Sequence, residues 1–145
     1  MKKQLPTTKR SLPIALIRAR EVIMPPIRAM LSQTGITEQQ WRVLRVLSEN
    51  GAIGTKTLAQ QSSLLLPSLT RIATTMVKKG LITQIRDKQD KRRQIIDITP
   101  LGLQLIEDRS EQAAKIVAGF RADLGDDDYE LLLDLLNKLD INSRH

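Results

Sequence analysis

The 145-residue chain contains no cysteine and a single histidine, His145, at its last position. Disulfides, thiolate zinc sites, a cysteine nucleophile, a redox-sensing thiol and a Ser-His-Asp relay are therefore excluded. Aromatic residues are almost as scarce, with Trp41, Phe120 and Tyr129 forming the complete set. The core must be aliphatic, and a Leu/Ile-rich core at this length points to helices. No apolar run approaches the roughly 18–20 residues that span a bilayer. The stretch Pro13-Ile14-Ala15-Leu16-Ile17 ends at Arg18, too short for the core of a signal peptide. A cytoplasmic protein with no membrane partner is expected. Only carboxylates remain for metal or hydrolytic chemistry, in Asp126-Asp127-Asp128 with Asp123. Capping and the helix dipole explain three aspartates at a helix start more simply than catalysis does. No partner base and no phosphate-cradling glycine loop accompany them, so neither an enzyme nor a cofactor is expected.

What the chain does have is segregated charge. The total is +7, yet residues 1–93 carry 18 Lys/Arg against 5 Asp/Glu, and residues 94–145 carry 5 against 11. A basic two-thirds followed by an acidic third suggests a part that binds a polyanion and a part held away from it.

Hydrophobic periodicity then orders the elements. Residues 1–10 read as a loose basic arm. Leu12, Leu16, Ala19, Ile23, Ile27 and Met30 recur at helical spacing over residues 11–32, and Pro25-Pro26 predicts a kink or a break there. Thr37 with Gln40 three residues on forms a capping box, and Ile36 and Trp41 occupy the staple positions. That helix ends at Asn50-Gly51. A short helix over 56–62 follows, then one from Pro67 to Lys79. Residues 81–85 and 94–98 are β-branched-rich and of strand length. They flank a charged tip over residues 86–93, giving a hairpin. From Thr99-Pro100 a long helix carries the seam Leu103, Ile106, Ser110, Ala113, Val117, Phe120 and Leu124. After Gly125, Asp126–Asp128 are expected to cap a last helix lined by leucines from Leu131 to Leu139.

Three short helices and a charged hairpin form a winged helix-turn-helix plan, mainly α with a small β-hairpin. In the helix starting at Pro67, Leu69, Ile72, Ala73 and Met76 form a buried stripe. Ser68, Thr70, Arg71, Thr74, Thr75 and Lys78 lie opposite. Arg can bond a guanine edge bidentately, and Ser/Thr hydroxyls can reach bases or phosphates. The window Leu66–Lys79 contains no acidic residue, unlike an ordinary solvated helix face. Lys88, Lys91, Arg92 and Arg93 arm the hairpin tip, and Asp90 stands two residues before Arg92, close enough to orient its guanidinium for a narrow minor groove.

Thr55-Lys56-Thr57-Leu58-Ala59, Pro67-Ser68-Leu69-Thr70-Arg71, Lys79-Gly80-Leu81-Ile82 and, most specifically, Asp90-Lys91-Arg92-Arg93 followed by Ile98-Thr99-Pro100-Leu101-Gly102 resemble the MarR family of bacterial transcriptional regulators over about residues 11–140. Residues 14–21, Thr37-Glu38-Gln39-Gln40-Trp41-Arg42 and Leu66–Thr70 further resemble the branch regulating homoprotocatechuate breakdown. The resemblance implies a single domain over residues 1–145: a helical dimerisation region from about 11–34 and 100–142, and a winged-helix DNA-binding lobe over about 36–99. It implies a homodimer on a pseudo-palindromic double-stranded operator. It also implies a small phenolic or aromatic carboxylate effector between lobe and dimer helices. By that resemblance Arg18 and Arg20 would supply the cation, and Ile14, Ile17 and Trp41 the apolar and aromatic walls. Independently, the leucine-rich last helices carry more apolar surface than one small lobe could cover, although a single four-helix bundle could also absorb them. The alternative is an architectural or anti-silencing DNA-binding protein of the same fold without a ligand.

Overall fold

The structure, a computed structural model, describes residues 4–140. Lys2 and Lys3 of the arm, positions 141–142 of the expected dimerisation region, and His145 lie outside the described residues. The arm forms one 3-10 turn, Thr8–Arg10, and is exposed. Helix α1 spans Leu12–Leu31, with Ser11 accepting the first-turn amide of Ile14. It runs through Pro25 and Pro26 without a break. Each proline deprives one carbonyl of its ladder partner, those of Glu21 and Val22. Both of these residues are exposed, so water can take the orphaned carbonyls, while the Met24, Met30 and Leu31 anchors hold the helix inward.

Helix α2, Glu38–Asn50, begins with the complete capping box: the Thr37 hydroxyl accepts the Gln40 amide, and the Gln40 side chain accepts the Thr37 amide. Ile36 and Trp41 both join the core. A two-residue strand, β1 (Ile53–Gly54), follows, then α3 (Thr55–Gln61) and α4 (Leu66–Lys78). The hairpin is β2 (Ile82–Arg86) and β3 (Gln94–Ile98). Helices α5 (Pro100–Leu124) and α6 (Asp126–Leu139) close the chain. The sheet is antiparallel in the order β1-β3-β2, with Ile82 opposite Ile98 and Ile53 opposite Ile96. The third strand was not expected from the sequence.

The core lies inside the lobe made by α2, α3, α4 and the sheet. Val43, Leu44, Leu47, Leu58, Leu69, Met76, Ile82 and Ile96 are all buried there. Outside it, α5 packs on α1 and α2, and α6 packs on α5. This second layer is thinly covered. Leu103, Val117 and Leu124 of the α5 seam stay exposed, as do Leu131, Leu132, Leu133, Leu135 and Leu139 of α6 and Leu12, Leu16 and Ile17 of α1. One correction concerns the start of α6. Gly125, not an aspartate, occupies the capping position, and Asp126–Asp128 fill the first turn, where their charge complements the helix dipole.

Candidate nucleic-acid interface and effector cleft

Helix α4 exists because an apolar residue recurs every three or four positions and Pro67 pre-sets the first turn. Leu69, Ala73 and Met76 are buried and Ile72 is half-buried. The opposite face presents Thr70, Arg71, Thr74, Thr75 and Lys78, with Ser68 half-buried. The structure therefore brings all six residues expected on this face onto one helix surface. Two of the hydroxyls are engaged within it: Thr70 donates to the Leu66 carbonyl and Thr74 to the Thr70 carbonyl, each at 3.0 Å.

The turn that aims α4 is held from a distance. Ser63 has a left-handed backbone, φ 54°, a conformation disfavoured for a residue with a Cβ. Arg42 donates through Nη1 to the carbonyls of Ser62 at 2.8 Å and Ser63 at 3.3 Å. Glu38 orients that guanidinium by accepting from Nε at 3.0 Å and Nη2 at 2.7 Å. Arg42 did not stand out as a functional residue in the sequence; its only local signal is the Glu-x-x-x-Arg spacing.

In the wing, Lys88, Lys91 and Arg92 project from the tip. Asp90 accepts the Arg92 amide at 3.1 Å, and the same oxygen lies 3.7 Å from Arg92 Nε. The Arg92 side chain is 97% exposed. Arg93 behaves differently. Its guanidinium folds back over β1, so that a Cβ added at Gly54 would sit 2.6 Å from Arg93 Nε. Its Nη1 stands 4.0 Å from Asp87 Oδ2. Lys56, Thr55 and Thr57 at the start of α3 share a surface cleft with Asp90, Arg92 and Arg93. Lys56 thus adds a cation that inspection of the wing alone overlooks. A shallow groove through Thr74, Lys78, Gln84 and Gln94 joins α4 to the hairpin. Helix α4, the groove and the hairpin tip present Arg71, Lys78, Lys88, Lys91 and Arg92 at the surface, with Lys56 beside the tip.

A cleft of about 510 Å³ opens between α2 and α5. Its walls are Trp41, Ile106, Ala113, Ala114, Val117 and Ala118, with Ser110, Arg45 and Arg121 as polar groups. Trp41 is buried, serving as core staple and cleft wall together. Arg45 pairs with Glu49 at 3.2 Å across half-exposed side chains. Arg121 hydrogen-bonds Glu130, stands 3.6 Å from Asp126, and lies 4.4 Å over the Tyr129 ring. The Glu130 hydrogen bond raises the Arg121 pKa above its ordinary value.

Of the residues expected at the effector site, only Trp41 lines this cleft. Ile14 is half-buried and Ile17, Arg18 and Arg20 are exposed on α1, apart from it. The cations lining this cleft are Arg45 and Arg121. The Arg45 signal lies in its spacing, since four residues after Trp41 it shares a helix face with the ring.

Residues 36–93 match the MarR family profile. Over 129 residues the chain is 40% identical to the HTH-type transcriptional regulator FarR of Neisseria gonorrhoeae, covering 89% of this chain and 88% of that protein. The chain belongs to the MarR family. This MarR-family protein is also 39% identical to the homoprotocatechuate degradative operon repressor of Escherichia coli, over 63% of its own length and 62% of the repressor's. Among solved structures, that of NadR in complex with 4-hydroxyphenylacetate superposes with a TM-score of 0.82 at 38% identity, covering 97% of this chain and 99% of that one. As a MarR-family member it is a winged-helix DNA-binding transcriptional regulator, and its relatives are regulators, not enzymes.

Proposed function

We propose that this protein is a homodimeric repressor of an aromatic-acid catabolic operon in a bacterial cytoplasm, released from a pseudo-palindromic operator by a small phenolic carboxylate. The cleft between α2 and α5 carries the reading. About 510 Å³ is ample for one aryl ring bearing a short acid. The Trp41 ring and the alanine-rich α5 face supply the apolar slot, and a guanidinium can hold a carboxylate bidentately. Arg45 suits that role, because its exposed pairing with Glu49 is weak and readily exchanged. NadR with 4-hydroxyphenylacetate and the homoprotocatechuate repressor support the chemical class. Arg18 and Arg20 would reach the ligand only if a second copy carried α1 across the cleft.

The dimer would form through about residues 11–34 and 100–142, where the exposed leucines lie, and would place two winged lobes (about 36–99) on successive half-sites about 34–36 Å apart. Ser68, Thr70, Arg71, Thr74, Thr75 and Lys78 would face the major groove. Lys88, Lys91, Arg92 and Arg93 would serve the wing, with Asp90 orienting Arg92. Because the cleft spans the lobe's α2 and the long α5, an occupant that favours a different lobe spacing lowers operator affinity. A coupling of about 1–3 kcal/mol weakens binding roughly 5- to 150-fold.

The test is fluorescence anisotropy of a labelled fragment from upstream of the protein's own gene. It is titrated at fixed salt with and without 4-hydroxyphenylacetate and 3,4-dihydroxyphenylacetate. Release by either acid, lost in Arg45→Ala, supports the proposal. Tight binding indifferent to both acids discards the effector, and weak, sequence-blind binding would identify an architectural protein instead.

A further inference from the structure

We infer that the outward ridge of α4, formed by Leu65, Leu66, Thr70 and Thr74, reads thymine 5-methyl groups and not the hydrogen-bonding edges of bases. The inference rests on the reading of α4 as the helix that enters the major groove. Four observations carry it. Leu65, at the capping position of α4, is 76% exposed, and Leu66 beside it is 45% exposed. These leucines are not loose ends. Leu64 packs against the core, its amide bonds to the Ala59 carbonyl, and Arg42 clamps the two residues before it. A rigid turn thus presents bare aliphatic side chains at the tip of the DNA-facing helix.

Leu66, Thr70 and Thr74 follow at intervals of four, one ridge of the helix. Both threonine hydroxyls donate to the carbonyl one turn back. Neither has a hydroxyl proton left for a base; each can offer a methyl group and an acceptor lone pair. The occupant is DNA and not a second copy or an apolar protein. No acidic residue occurs from Leu66 to Lys79, and Arg71 and Lys78 stand on the same exposed side. The unpaired leucines that suit self-association sit on α1, α5 and α6 instead. In the major groove thymine is the base that displays a methyl group, and apolar side chains recognise it by contact.

Duplexes selected from a random library by the full-length protein supply the probe. Each thymine is replaced in turn by deoxyuridine, which removes the 5-methyl group and leaves the hydrogen-bonding edge intact. Burying one methyl-sized group is worth about 0.8 kcal/mol, or about 4-fold in affinity. The wild-type protein should lose about that factor at one or more thymines of each half-site. Leu65→Ala or Thr70→Ser should lose a similar factor on the thymine duplex and become indifferent to deoxyuridine at one position. Thr70→Val, which keeps the methyl group and lacks the hydroxyl, should retain the wild-type discrimination between thymine and deoxyuridine. All these positions are exposed, so melting temperature and affinity for a scrambled duplex should not move.

Indifference of the wild-type protein to every deoxyuridine overturns the inference. So does a loss in Thr70→Val with none in Thr70→Ser, which would assign a hydroxyl contact. Failure to enrich any sequence would overturn sequence-specific recognition itself, and the inference with it.

Discussion

Replacing Gly102 with alanine should destabilise the protein, although it puts a better helix former into α5. A Cβ at this buried position would lie 2.5 Å from the Leu81 carbonyl oxygen, 2.7 Å from Ile98 Cγ1 and 3.2 Å from Leu44 Cδ2. The first of these is backbone and cannot rotate aside. The Leu81 oxygen also accepts the Thr99 amide at 3.1 Å, and the Thr99 hydroxyl donates to the Gly80 carbonyl at 2.6 Å. Moving α5 off the lobe therefore strains two hydrogen bonds as well. Overpacking costs about 1–3 kcal/mol and each weakened bond about 1 kcal/mol. The gain in helix propensity returns about 1 kcal/mol, leaving a net loss of about 2–4 kcal/mol. Gly119 is the internal control. It lies in the same helix with nothing within 4 Å of an added Cβ, so Gly119→Ala should stabilise by about 0.5–1 kcal/mol. Urea unfolding followed by far-UV circular dichroism at one protein concentration measures both. A Gly102→Ala protein as stable as wild type would refute the close approach. A loss at Gly119 would mean that a second copy covers that face.

Thr37→Ala removes the capping hydroxyl of α2 and should cost about 1 kcal/mol, seen as a lower urea midpoint with an unchanged slope. Arg71→Ala should cost about 1–3 kcal/mol on the selected operator and far less on scrambled DNA; equal losses on both would make Arg71 a phosphate contact. Lys91→Ala should weaken binding to all sequences alike and reduce the slope of log affinity against log salt by about 1. The double variant Leu131→Asp/Leu135→Asp changes two exposed leucines of α6 and should sediment as a monomer if that face joins the two copies.

The fold was legible in the sequence wherever a signal acts over a few residues. Thr37 and Gln40 are three apart, and their reciprocal bonds form the capping box that starts α2. The apolar stripe of α4 and the acid-free face opposite it are set by helical period alone. The Ile98-Thr99-Pro100-Leu101-Gly102 stretch was readable as a motif, but its physical reason is tertiary. Thr99 caps α5 and ties it to Gly80, and Gly102 lets α5 lie against the Leu81 carbonyl. The tertiary structure alone decided several features that matter for function. Strand β1 is two residues long, too short for any periodicity, and exists through its pairing with β3 some forty residues later. Helix α1 passes Pro25 and Pro26 unbroken, and the two residues whose carbonyls lose a ladder partner, Glu21 and Val22, lie exposed. Arg93 belongs to the tip by sequence, yet it folds over Gly54. Arg45 and Arg121 share a cleft because α5 packs across α2. In each case the partners are distant in the chain, and no local spacing encodes a contact created when separate elements pack.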